Sequence, residues 1–281
     1  MIPTVLTPTA LTPTVLTPTV LAIAGTDPSA GAGVAADLKT FAALGAYGTL
    51  VVTAVTAQST RGVSGVHQLD GDFVEQQLET LLADVRVDAV KIGMLGSAEV
   101  TRAVAGVLRR HRLPHVVLDP VMVATSGDRL LAADAVAALR DELLPLADLV
   151  TPNVPEAADL LGVAEARDED ELRAQAVELT GLTARVLLKG GHLGGPESVD
   201  LLVEGDAVVR LTAPRVDTTS THGTGCTLSS AVAALRPGAP DWVTAVRGAK
   251  DYLTGALRTA DRLDIGTGHG PVHHFHAFWP A

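Results

Sequence analysis

Apolar residues in this chain fall into short, nearly continuous runs, separated by longer stretches in which they recur every three or four positions. The runs VLAIA (20–24), TLVVTAVTA (49–57), AVKIG (89–93), HVVLD (115–119), DLVTP (148–152), RVLLK (185–189), DLLV (200–203) and AVVRL (207–211) have the length and β-branching of buried strands. The intervening periodicity predicts helices over 33–44, 73–85, 98–111, 133–144, 156–161, 169–179, 226–235 and 242–263. Strands alternating with helices of this length imply βαβ units and a mainly parallel sheet, hence an α/β fold. Right-handed crossovers then gather the loops that follow the strands on one rim, where ligands of open α/β sheets bind.

Ahead of the first strand the unit Leu-Thr-Pro-Thr-Val/Ala recurs every five residues from Leu6 to Val20. Proline at that spacing removes backbone donors and blocks both helix and central strand. Residues 1–19 therefore read as an extended, poorly ordered extension, and residues 20–281 as one domain with no internal linker. Aromatic residues are only 3% of a chain that is 47% hydrophobic, so the core must be built from Ala, Val and Leu. The net charge of −11 and the lack of any Lys/Arg block disfavour nucleic acid and anionic membranes as partners. A single cysteine allows no internal disulfide, and no apolar run approaches a membrane span, so a cytoplasmic protein is expected.

Chemistry concentrates on the expected rim. The first strand runs into Gly25-Thr26-Asp27-Pro28-Ser29-Ala30-Gly31-Ala32-Gly33, whose glycines admit a ligand close to the backbone. A nicotinamide-dinucleotide reading of Gly31-x-Gly33 requires an acid at the end of the second strand, and Ala57-Gln58-Ser59 stands there instead. Gln58 can both donate and accept, as a pyrimidine nitrogen beside an amino group requires, and Asp37 on the first helix is a second candidate reader of a ring. In Thr151-Pro152-Asn153-Val154-Pro155-Glu156, Asn153 and Glu156 form either a helix capping pair or a site for hydrated Mg²⁺. Lys189-Gly190-Gly191 sets an ammonium either against phosphates or in solvent, and Asp119 at the end of HVVLD either assists Mg²⁺ or caps a turn. Thr221-His222-Gly223-Thr224-Gly225-Cys226 leaves consecutive N–H groups bare at a helix start, an anion hole for a phosphoryl group in transfer. The helix dipole there should lower the Cys226 thiol pKa, unless Cys226 is simply a small packed residue. No Gly-Lys-Ser/Thr occurs, so a P-loop is excluded. The histidines at 269, 273, 274 and 276 make a poor tetrahedral metal set.

The segments AGTDPSAGAGVAADLKTFAALGAYG, TAQSTRGV, DVRVDAVKIGML, VVLDPVMVATSGDRLL, TPNVPEAADLL, LLKGGH, THGTGCTLSSAVAALRP and GPVHHFHAFW, in this order, resemble the bacterial hydroxymethylpyrimidine and phosphomethylpyrimidine kinases of the ribokinase superfamily. The resemblance covers nearly the whole chain from Leu21 to Trp279. It implies a three-layer α/β/α fold with a reduced lid, a homodimer, and ATP with Mg²⁺ as co-substrate and metal. It implies a pyrimidine site at Gly25, Asp37, Gln58, Met94 and Val121, with Cys226 facing the hydroxymethyl group. It implies a nucleotide and metal side at Asn153, Glu156, Lys189 and the Gly223–Cys226 turn with Thr224 and Gly225, beside which Asp119 is a further candidate for the metal. Pyridoxal kinases share the fold and are the nearest alternative. Wider ribokinase relatives carry an Asp base where this chain has Cys226, and Ala30 stands where the first loop usually has Gly.

The repeat should contribute little stability, because a Pro-rich tract buries little apolar area. Removing residues 1–18 is expected to leave activity and melting temperature nearly unchanged; a loss above about 2 kcal/mol, large for any single segment, would show that the extension is docked.

Overall fold

The computed structural model describes residues 17–122 and 133–279; the proline-repeat expectation for residues 1–16 lies outside them. Among the described residues the chain runs β1 (Thr19–Ala24), α1 (Gly33–Ala43), β2 (Tyr47–Val52), β3 (Ala54–Ser59), β4 (Gly62–Gln68), α2 (Gly71–Leu82), β5 (Ala89–Ile92), α3 (Ala98–His111) and β6 (Val116–Leu118). It continues with α4 (Ala133–Ala138), β7 (Leu149–Val150), α5 (Val154–Leu161), α6 (Glu169–Leu179), β8 (Arg185–Lys189), β9 (Glu197–Glu204), β10 (Ala207–Pro214), α7 (Thr224–Leu235) and α8 (Trp242–Arg258). Eight of these strands form one sheet in the order β10-β9-β8-β7-β6-β5-β1-β2. The pairs from β8 through β2 are parallel, and only β9 and β10 run antiparallel to their neighbours.

The strand side chains alternate between two cores. In β1, Leu21 and Ile23 pack with α2–α6, whereas Val20, Ala22 and Ala24 pack with α1, α7 and α8. Because both faces are covered, both registers are apolar, which is why the strands read as unbroken hydrophobic runs. The expected three-layer α/β/α architecture is thus present. No helix among the described residues is long and apolar enough to cross a membrane.

Three expectations are corrected. The run 49–57 is two strands, not one. The chain leaves the main sheet at buried Thr53, whose hydroxyl donates to the Met94 carbonyl at 2.7 Å, and β3 then pairs with β4 in a separate hairpin. Small and β-branched residues continue across the switch, so the sequence does not mark it, although burial shifts phase there with Thr53 and Ala54 both buried; β4 was missed because most of its side chains are solvent-exposed. The helix expected over 133–144 is α-helical only to Ala138, then widens into a π turn over 139–143 and tightens at Leu144-Pro145-Leu146, where Pro145 supplies no amide donor. The last helix ends at Arg258 rather than continuing to Leu263.

Lys91 in β5 points into the core between α1 and α7. Its Nζ lies 2.7 Å from Asp37 Oδ1, both side chains are fully buried, and Ser230 Oγ donates to the same oxygen at 2.7 Å. Removing one member of such a pair leaves the other charge uncompensated, at a cost of about 3–5 kcal/mol. Lys91→Met is therefore expected to be destabilising by that order in urea unfolding, with most of the loss recovered when Asp37→Leu is added. Equal stability of the single variant and the wild type would show that the pair is already hydrated.

Candidate active site

The carboxyl ends of the parallel strands open on a cleft of about 730 Å³. The chain segments that follow each strand supply its walls: Gly25 and Thr26 after β1, Met94 after β5, Asp119 and Val121 after β6, Asn153 and Glu156 after β7, and Lys189 at the end of β8. Gln58 enters from the β3–β4 hairpin, beside a bulge between Ala57 and Gln58. Gly223, Thr224, Gly225 and Cys226 enter from the start of α7. Twelve of the thirteen residues singled out from sequence line this one space. Asp37 does not: it is consumed in the ion pair with Lys91 behind the wall, so the expectation that it reads a ring from the first helix is corrected.

The first loop is shaped around Asp27. Its carboxylate accepts from the Ser29 amide (2.8 Å) and hydroxyl (2.7 Å), the Gly31 amide (3.1 Å) and the Ala32 amide (2.9 Å). It also lies 2.7 Å from His222 Nε2. Burial alone would raise the Asp27 pKa, but these partners, His222 foremost, bring it down to about 2. Gly25 matters for space, since a Cβ there would collide with the Met94 methyl group. Thr26 ties this loop to the hairpin, its hydroxyl accepting from the Thr56 amide at 3.0 Å while Thr56 Oγ1 donates to the Thr26 carbonyl at 2.8 Å.

At the other side, Lys189 Nζ lies 2.9 Å from Asp119 Oδ1 and 3.9 Å from Glu156 Oε2. Asp119 also accepts from Thr151 Oγ1 at 3.0 Å and Ser229 Oγ at 3.3 Å. Burial would raise the Asp119 pKa, yet Lys189, Lys91 and these hydrogen bonds together hold it below the usual carboxylate value. Glu156 is pushed up to about 7, by burial first and then by the Asp119 charge against the opposing pull of Lys189. The capping pair is real: Asn153 Oδ1 accepts from the Glu156 amide (2.9 Å) and Glu156 Oε2 from the Asn153 amide (2.8 Å). This cap fixes where both side chains stand and leaves the Asn153 side-chain nitrogen Nδ2 for other partners.

The start of α7 packs over this charged floor. A Cβ on Gly225 would sit 3.3 Å from Lys189 Nζ and 3.4 Å from Asp119 Oδ2, so glycine brings the helix backbone close to both. Gly223, the residue before the helix, has φ +77°, and a Cβ there would strike the Gly31 carbonyl. The expected lowering of the Cys226 thiol pKa is corrected: burial pushes it up, and Lys91 opposes this while Asp37 and Asp119 add to it. Of the C-terminal histidines, His273 and His274 are buried and His269 is exposed. His274 is buried, its Nε2 lies 3.2 Å from Thr227 Oγ1, and burial brings its pKa down to about 3, which keeps it neutral.

Sequence reading missed Asp27, His222, Lys91, Thr151 and Ser229. Each acts through a partner between 30 and about 200 residues away in sequence. Only the charged residue in the strand AVKIG carried a local signal, since a lysine in an otherwise buried run must find a counter-ion.

The fold and site together define a ribokinase-like small-molecule kinase, with a parallel sheet, a minimal hairpin lid and a glycine-lined helix start at the sheet rim. The model of the phosphomethylpyrimidine kinase family matches residues 27–273, and the chain belongs to that family. It is 54% identical over 260 residues to the hydroxymethylpyrimidine/phosphomethylpyrimidine kinase of Escherichia coli strain K12, covering 92% of this chain and 98% of that one. Identity to the protein of the same name from Rhizobium meliloti is 55% over 262 residues, covering 92% of this chain and 97% of that one. Among solved structures, phosphomethylpyrimidine kinase from Clostridium difficile matches with a TM-score of 0.76 at 38% identity, covering 85% of this chain and 99% of that one. An ADP complex of Bacillus subtilis pyridoxal kinase matches with a TM-score of 0.87 at 33% identity, covering 94% of this chain and all of that one.

A half-buried thiol with a raised pKa reacts slowly at neutral pH, because the thiolate is the nucleophile. Alkylation of Cys226 by iodoacetamide is expected to accelerate through pH 8 and 9 without a plateau below. A plateau near pH 7 would show that the helix dipole outweighs burial.

Proposed function

We propose that this protein phosphorylates 4-amino-5-hydroxymethyl-2-methylpyrimidine from ATP, and then the monophosphate to the pyrophosphate, in thiamine biosynthesis. The observation that carries the reading is the convergence of the Gly223–Cys226 helix start with Lys189 and Asp119 on the cleft that Gln58 also lines. Membership of the phosphomethylpyrimidine kinase family supports the choice of acceptor.

Gln58 reads the pyrimidine, with Gly25, Met94 and Val121 packing on the ring. Its Oε1 lies 3.3 Å from the Thr56 hydroxyl, whose one proton goes to the nearer Thr26 carbonyl, which leaves the amide able to meet a ring. Lys189, Thr224 and the Asn153 side-chain amide meet the nucleotide phosphates. Backbone N–H groups of Gly225 and Cys226 face the charge that develops on the transferred group. Mg²⁺ fits the acidic pair. Among the described residues no group of three or more His, Cys, Asp or Glu could cage a metal. Mg²⁺ ordinarily uses one or two carboxylates and completes its shell with water and phosphate oxygens. Glu156, oriented by Asn153, and Asp119, oriented by Thr151 and Ser229, would hold it, and when bound it would neutralise phosphate charge. Catalysis is then mainly positioning and charge stabilisation. Cys226 is the group proposed to take the alcohol proton; because burial keeps its thiol protonated, phosphorylation of the alcohol should quicken as pH rises. The monophosphate, already ionised above its second pKa of about 6, should show no such dependence on Cys226.

The protein is proposed to act as a homodimer, the β3–β4 hairpin with half-exposed Val55 and Val66 being the surface a partner would cover. A pyridoxal kinase is the second reading, favoured by the TM-score of 0.87 to the Bacillus subtilis enzyme.

ADP release measured with hydroxymethylpyrimidine, its monophosphate and pyridoxal as acceptors decides between the two. Both pyrimidines should be turned over with higher kcat/KM than pyridoxal; turnover of pyridoxal alone would overturn the reading. Gln58→Leu leaves a ring nitrogen unpaired at a cost of about 1–3 kcal/mol. The pyrimidine KM is therefore expected to rise roughly 5- to 150-fold with ATP KM unchanged, and a change in ATP KM alone would reverse the two half-sites.

A further inference from the structure

Two loops that are about 190 residues apart in sequence meet at one buried contact, His222 Nε2 to Asp27 Oδ2 at 2.7 Å. The residues are 6% and 4% exposed, and both line the cleft. Around this contact the two loops are shaped to each other. A Cβ on Gly31 would collide with the His222 ring, and one on Gly223 with the Gly31 carbonyl, so a side chain at either glycine would separate them. The Asp27 carboxylate meanwhile binds the Gly31 and Ala32 amides, which makes the path of the first loop depend on the group that His222 touches. His222 is anchored from behind, its amide donating to the Gly270 carbonyl at 3.0 Å and its backbone bridging Pro271. Its successor Gly223 opens the helix-start turn, and the Gly223 carbonyl accepts from the Thr227 amide at 2.8 Å inside α7.

We propose that Asp27 and His222 form a positioning pair that locks the acceptor-side loop, residues 25–33, to the phosphoryl-side turn, residues 223–226. The proposal rests on the functional reading above and deepens it. Neither residue needs to touch the reacting atoms. Each half-site is built largely by its own contacts, so loss of the pair leaves binding of each substrate alone nearly intact. What it changes is the relative placement of the attacking oxygen and the phosphorus, where a displacement of about 1 Å costs about 10²-fold in rate. The loss should therefore fall on kcat rather than on KM.

Two isosteres separate this role from a packing role. A glutamine amide nitrogen falls near the position of histidine Nε2 and can still donate to Asp27, whereas the amide of asparagine stops at the level of Nδ1. His222→Asn is expected to lower kcat about 10- to 100-fold, with pyrimidine and ATP KM within threefold and the melting temperature within a few degrees of wild type. His222→Gln should retain kcat within about threefold. Hydrogen exchange of the ligand-free protein supplies a readout independent of turnover: the Gly31 and Ala32 amides should exchange at least about tenfold faster in His222→Asn and unchanged in His222→Gln. If His222→Asn keeps wild-type kcat, if both variants fall equally, or if the loss appears in KM or melting temperature alone, the pair does not position the loops. If the wild type turns over neither pyrimidine, the functional reading fails, and the exchange comparison still decides whether the pair joins the loops.

Discussion

The ion pair between Lys189 and Asp119, nearly buried beneath the start of α7, is the constraint around which the site is arranged. Two charges removed from water must find partners, and the partners here come from every neighbouring element: Thr151 from the end of β7, Ser229 from α7 and Glu156 from α5. Gly225 is held against the same pair, because a Cβ at this position would sit within about van der Waals contact of both. The helix whose amides face the cleft is thereby registered on the sheet rim by the charges it serves.

A second buried pair repeats the pattern one layer in. Lys91 and Asp37 join β5 to α1, and Ser230, next to Ser229, joins α7 to that pair. Consecutive serines on α7 thus reach two different carboxylates, Asp119 and Asp37. The chain has a net charge of −11, so a phosphate-bearing substrate is not drawn in by a global field. Attraction has to be local, and in the proposed function Lys189 and the helix-start amides are the groups assigned to it. Glu156, whose pKa burial and Asp119 push up to about 7 against the pull of Lys189, adds a carboxylate whose ionised form a divalent cation would favour.

Much of this was legible in the sequence, for identifiable reasons. Strands covered on both faces announce themselves as apolar runs, and the Asn153–Glu156 cap is written in four consecutive positions. Glycines before and within the α7 start mark close backbone approach, and all of them line the cleft. What failed to show was long-range or contextual. The switch of sheet at Thr53 falls inside one run of small and β-branched residues, and the exposed strand β4 has no apolar face to betray it. Asp37 was misplaced because its partner Lys91 lies 54 residues away, and nothing local says which side of a helix meets a lysine in a strand. The Cys226 thiol was misjudged because a helix dipole is visible in sequence whereas burial is not.

The central claim is that Lys189, paired with Asp119 under the α7 amides, meets the transferred phosphoryl group. Lys189→Met tests it most directly, with kcat, pyrimidine affinity and unfolding followed on the same protein. The account predicts a fall in kcat of about 10²- to 10³-fold while the folded variant still binds the pyrimidine with near wild-type affinity. A folded variant that keeps kcat within about threefold of wild type would contradict it.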